Sequence, residues 1–206
     1  MNKDMAVKTA KKNLGIKAIA KIGVLAGLAG IIMLFEFPLP FAPSFLKLDL
    51  SEIPVIIGAF ALGPVAGIFI EFVKILLNFI FNGTITGGIG ELANLLIGCA
   101  FVVPAALIYS KKKSIKTAVV GLGVGILCMT LVGALLNYYL LIPVYAKVFG
   151  CEVSTLVAMG TAVNSNINSL ADLILLGIVP FNIVKGLISS GITLLVYKRV
   201  SCILHK

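Results

Sequence analysis

The sequence predicts an all-α membrane protein. It forms one domain over residues 1–206, with six transmembrane helices, both termini cytoplasmic and a first external loop that acts as a lid. Three observations carry this expectation. Long apolar runs fill the chain from Ile22 to Tyr197, with 60% hydrophobic and only 12% charged residues, where soluble domains carry roughly 25% charged. The basic residues collect in three clusters: Lys3, Lys8, Lys11, Lys12, Lys17 and Lys21; then Lys111, Lys112, Lys113 and Lys116; then Lys198, Arg199 and Lys206. The first break in the apolar pattern is rich in proline yet still apolar.

Span one is expected from about Ile16 to Phe35, retained rather than cleaved, since no small-x-small site follows its apolar run. Its small residues Gly23, Ala26, Gly27 and Gly30 fall four apart in two pairs. That spacing admits a neighbouring helix, either inside the bundle or from another subunit. Residues 36–52 hold Pro38, Pro40 and Pro43, which break a helix, together with Phe37, Phe41, Phe45, Leu46 and Leu48. Such a segment folds back on the bundle as a lid. Ser51 reads as a helix N-cap, with Pro54 in the first turn of a short span two that ends at Leu62.

Gly63-Pro64 makes the turn into span three, Pro64 to Phe81, where Glu71 and Lys74 lie three apart at mid-depth. An intrahelical ion pair accounts for them better than proton coupling. A glycine-rich loop over 82–90 leads to span four, about Glu91 to Tyr109, ended by the Lys111 cluster. Span five, about Thr117 to Tyr145, is long. A polar loop with Glu152, Asn164, Asn166 and Asn168 follows, and span six runs from about Leu170 to Tyr197. With a cytoplasmic amino terminus, six crossings bring every basic cluster to the cytoplasm, as the positive-inside rule requires. The net charge of +9 therefore answers to topology and anionic lipid, not to nucleic acid.

Catalysis finds no support. The single histidine, His205, lies in the tail, and no metal-ligand spacing, nucleophile–base pair or Walker-type phosphate loop is present. Cys99, Cys128, Cys151 and Cys202 form no C-x-x-C pair and read as small packing residues. Binding is the better expectation. Asp172 and Lys185 are charges out of place in the last span, and ionisable groups within a membrane face a cavity or each other. Lys185 shares a helical face with Asn182, and Pro180 frees backbone carbonyls beside them. It lies roughly 18 Å along the helix from Lys198, too deep to snorkel easily. Asn137 in span five is expected in the external half of the bundle, at a depth from which it can face them. Two amides and an ammonium suit a neutral planar heterocycle with carbonyls and ring nitrogens. Helix–helix hydrogen bonding fits each Asn equally well. Glu91, one turn before Asn94, caps its helix, binds a polar end of the ligand or anchors the lid.

Several stretches resemble the riboflavin-specific substrate-binding components of energy-coupling factor (ECF) transporters. They are Phe37-Pro38-Leu39-Pro40 with Phe45 through Pro54, Gly63-Pro64-Val65-Ala66-Gly67, Gly90-Glu91-Leu92-Ala93-Asn94, and Pro180-Phe181-Asn182-Ile183-Val184-Lys185-Gly186 followed by Tyr197-Lys198-Arg199. They follow the family's order along nearly the whole chain. The resemblance implies a multi-pass protein of the bacterial plasma membrane that holds one riboflavin in its external half, as transported ligand rather than cofactor. It implies that Asn137, Asn182 and Lys185 hold the ring, with Phe45 and Leu46 of the loop above and Glu91 nearby. It also implies partners: a transmembrane coupling protein and two cytoplasmic ATPases. The family docks through small residues on span one, expected here at Ala26 and Gly30 beside Gly23 and Gly27, with glycine where the family has a second alanine.

Overall fold

The computed structural model describes residues 15–204, with side chains through Tyr197. Lys3, Lys8, Lys11, Lys12, His205 and Lys206 lie outside the described residues, as do the side chains of Lys198, Arg199 and Cys202. Helix α1 covers Ile16–Met33. Two short strands, β1 (Phe37–Pro38) and β2 (Lys47–Leu48), pair antiparallel and close the first loop on itself. Their link is reinforced by an ion pair between Lys47 and Glu36. Helix α2 is Glu52–Leu62, α3 is Pro64–Asn82 and α4 is Ile89–Lys111.

Helix α5, Ile115–Leu136, passes through a π-turn at Asn137–Leu141 into α6, Ile142–Phe149. Helix α7, Val153–Thr161, lies where the sequence predicted only a polar loop. Its glycine and hydroxyl content hid an amphipathic segment whose Leu156 and Val157 are buried. Helix α8, Leu170–Asp172, continues through a second π-turn, Leu173–Ile178, into α9, Val179–Leu204. Each π-turn has a local cause. Pro143 and Pro180 offer no N–H to the carbonyls of residues 139 and 176, and both carbonyls sit within the widened turns.

Among the described residues, five helices are long and apolar enough to cross a membrane: Ile16–Met33, Pro64–Asn82, Ile89–Lys111, Ile115–Phe149 and Leu170–Tyr197. Helix α2 is not among them and is short, as the sequence predicted. Its 11 residues reach about 16 Å, half of the roughly 30 Å hydrocarbon core. Gly63, at φ 103°, turns the chain directly into α3. Glu52 at the start of α2 then meets Lys74, halfway along α3, at 2.8 Å. The first loop therefore delivers the chain to α2 level with the middle of α3.

One core joins α1 through α5 and includes Ile22, Ala26, Val55, Ile56, Ile70, Phe101, Leu122 and Met129. At the end of the bundle that bears the exposed lysines 111–113 and 116, which we term the basic end, Phe60 stacks on Tyr109 with centroids 4.3 Å apart. Tyr197 meets both rings edge-on, and the Tyr109 hydroxyl donates to the Tyr197 hydroxyl at 3.1 Å. Nearby, α5 presses against α4. A β-carbon at Gly121 would lie 2.7 Å from the Ala105 carbonyl oxygen, and one at Gly125 2.4 Å from that of Phe101. A second core at the opposite, loop-bearing end gathers Ile142, Leu156, Ile167, Leu173, Ile174 and Ile178, with Phe45 and Leu46 packed on it.

Candidate functional site

Polar side chains inside an apolar bundle need partners, and the loop end is where most of them lie. Asn137 opens the first π-turn, and its Nδ2 donates to the Gly133 carbonyl at 2.8 Å. Asn182, in the first turn after the second π-turn, donates from Nδ2 to the Ile178 carbonyl at 3.0 Å. Both amides meet at Gly133, where a β-carbon would lie 3.0 Å from Asn182 Nδ2. The absent side chain lets α9 bring Asn182 against the turn of α5 that also receives Asn137. Neither Oδ1 atom carries a hydrogen bond among the described residues, so both acceptors remain for a ligand donor.

Lys185, one turn beyond Asn182, was expected to face the ligand from span six. The structure gives its ammonium a protein partner as well, Asp49 Oδ2 of the first loop at 2.7 Å. The other oxygen, Oδ1, accepts the Ser51 N–H at 2.9 Å and also the Ser51 hydroxyl. Ser51 therefore precedes α2, as predicted, but does not cap it, because its hydroxyl turns back to Asp49.

A second buried set lies one step deeper. Lys74 Nζ stands 2.8 Å from Glu52 Oε1 and 2.7 Å from Glu71 Oε1. The Glu71 pair was legible from its spacing; Glu52 was not assigned to it. The Glu71 contact is a close approach of charges without hydrogen-bond alignment, and Glu71 Oε2 and Glu52 Oε2 have no hydrogen-bond partner among the described residues. Gly98 of α4 makes room for the Glu71 carboxylate, which would lie 2.2 Å from a β-carbon there. Asp49 and Glu52 are the residues sequence reasoning missed. The available signal was charge counting, since two lysines within the spans require carboxylates at the same depth.

Phe45 and Leu46 pack over the loop end, against the cluster that contains Ile142, Ile174 and Ile178. Ala42, Leu48 and Phe181 form a further contact between the loop and α9. Glu91 makes a contact that none of its three expected roles described. Its Oε2 accepts from the Thr84 hydroxyl at 3.0 Å, and Thr84 in turn accepts the Gly88 N–H, so Glu91 fastens the loop between α3 and α4. Asp172 proves to belong to a helix start, where it accepts from the Ser169 hydroxyl at 2.7 Å and the Asn168 N–H.

On α1 the four small residues divide. Ala26 and Gly30 are buried, and a β-carbon at Gly30 would strike Leu77 of α3 at 2.9 Å. Of the two settings expected for this pair, inside the bundle or against another subunit, both residues take the first, with Gly30 against α3. Gly23 and Gly27 are the outward pair, with no atom within 4 Å of a β-carbon at either position.

Comparison with known proteins places the chain in a family and a fold. The family model described as "ECF transporter, substrate-specific component" matches residues 17–197. The chain is 35% identical to the riboflavin transporter RibU of Staphylococcus aureus (strain TCH60), covering 92% of this chain and 93% of that protein. It is 33% identical to the riboflavin transporter FmnP of Bacillus subtilis (strain 168), covering 90% and 92%. A solved structure described as "Structure and mechanism of the S component of a bacterial ECF transporter" superposes with a TM-score of 0.70 at 34% identity, covering 92% of this chain and 98% of that one.

Proposed function

The chain belongs to the family of ECF transporter substrate-specific components, and from that premise we propose that it captures riboflavin at the loop end of the bundle for uptake. It is a multi-pass membrane protein and a transporter subunit, not an enzyme, and riboflavin is its cargo rather than a cofactor. The observation that carries the reading is the meeting of Asn137 and Asn182 at Gly133, with Lys185 one turn away. Flavin is a planar ring with apolar faces and a rim of carbonyls, ring nitrogens and one N–H. The Asn Oδ1 atoms accept from the N–H, the Lys185 ammonium donates to carbonyls, and Phe45 and Leu46 cover an apolar face.

The loop end faces outward in this reading, and the basic end lies in the cytoplasm of a bacterial cell. The first loop descends to mid-depth and α2 completes the second crossing, so six crossings return both termini to one side. Irregular backbone at that depth is tolerated because it is buried within protein. The loop acts as a lid. Gly23 and Gly27 form the face for the transmembrane coupling protein, and two cytoplasmic ATPases drive the assembly.

Riboflavin fluorescence is quenched when the ring stacks in an apolar site, so titrating purified protein against riboflavin without ATP tests the proposal. Tight, saturable quenching is expected. An absence of quenching at micromolar protein overturns the assignment.

A further inference from the structure

We propose that Asp49 is a positioning residue for riboflavin: it is the counter-ion that sets where the Lys185 ammonium stands, and it makes loop closure and ammonium placement a single event. The proposal deepens the riboflavin reading and rests on it.

A lysine ammonium rides on a flexible four-carbon stem and has no intrinsic direction. Here its place is set by one contact, 2.7 Å to Asp49 Oδ2, across 136 residues of sequence. Asp49 is itself held rigidly. Its Oδ1 receives both donors of Ser51, which is fully buried, and this leaves Oδ2 to Lys185. Three residues on, Lys74 of α3 grips Glu52. The junction from 49 to 52 is thus held at two points, by lysines on two different helices. The two points differ in exposure. The Lys74 and Glu52 side chains are 2% and 5% exposed, whereas Lys185 retains 18%. The inner pair is the fixed anchor, and the outer pair borders the space a ligand reaches. One ammonium proton serves Asp49, and two remain for ligand acceptors beside Asn182. The charged groups that act on Asp49 are Lys185 from α9 and Lys74 from α3, and Lys74 in turn holds Glu52 of α2 and Glu71 of α3.

The test is riboflavin affinity and dissociation rate for the wild type, Asp49→Glu, Asp49→Asn, Lys185→Met and the double variant Asp49→Asn/Lys185→Met. Asp49→Asn should weaken binding ~30-fold or more, mainly through faster dissociation, as when one member of a buried charge pair is removed. Asp49→Glu, which keeps the carboxylate, should recover most of that loss. The double variant should bind no worse than Lys185→Met, because Asp49 acts only through Lys185. Unchanged affinity in Asp49→Asn overturns the proposal, and so do losses that multiply in the double variant. If Asp49→Asn fails to fold, the double variant strands no charge and its comparison with Lys185→Met decides. Failure of the wild type to bind riboflavin overturns the ligand reading and the positioning role together. Wild-type binding with an indifferent Asp49 overturns the positioning role alone.

Discussion

At the basic end, α5 rests on the backbone of α4 through Gly121 and Gly125, and Phe60, Tyr109 and Tyr197 seal the helix ends with aromatic contacts. At the loop end, both long helices widen into π-turns, a loop replaces half of a span, and Asn137, Asn182, Asp49 and Glu52 are buried. The first region is held by close packing that tolerates no added atom. The second is held by directed polar contacts, several of which leave acceptors uncommitted. Small residues and dispersion make a rigid frame, and interrupted backbone and polar groups make a place for a ligand. A protein that must both persist as a unit in lipid and open for cargo separates the two tasks along its axis.

Substitutions at each end should fail differently. The largest effect belongs to the frame. Gly125→Val places a side chain where even a β-carbon meets the Phe101 carbonyl at 2.4 Å. It should destabilise by about 3 kcal/mol or more and abolish monodisperse protein in size-exclusion chromatography. Recovery of folded, flavin-binding protein would show that the frame can give. Gly27→Leu projects into open space, so folding and riboflavin affinity should survive while cellular uptake is lost. The inward Gly30→Leu should lose binding and uptake together, since it collides with Leu77. The same outcome for both variants would erase the division of α1 into an inner and an outer face.

At the loop end the effects are graded. Asn182→Ala should weaken riboflavin binding by roughly 1–3 kcal/mol, about five- to a hundredfold, with the fold intact. Lys185→Ala should cost more, because it also strands the buried Asp49 carboxylate. Equal losses in the two variants, read by fluorescence titration, would detach Asp49 from the site.

Much of the frame was legible in the sequence. Apolar runs and lysine clusters located five spans to within a few residues, and the spacing of Glu71 and Lys74 announced their pairing. Asn137 and Asn182 were readable as a pair because prolines and amides stand out in apolar helices. Three things were not readable, each for a physical reason. The Asp49–Lys185 contact joins residues 136 apart, and no local pattern encodes such a meeting. The direction in which α1 turns its small residues depends on where α3 lies, not on spacing within α1. The shortness of α2 showed in its length, but its level in the bundle follows only from Glu52 meeting Lys74.

That last contact also bears on how the protein is made. A charged residue at the centre of a helix costs about 2.5–3.5 kcal/mol to insert into a bilayer. Helix α3 carries two such residues, and Lys74 travels with Glu71 three positions away as its own escort. Glu52 has no such companion on α2. It reaches its ammonium only when α2 folds back across Gly63. The α2–Gly63–α3 hairpin is therefore the smallest unit in which Glu52 has its counter-ion. Lys74→Leu would leave two buried carboxylates, Glu52 and Glu71, with no counter-ion between them.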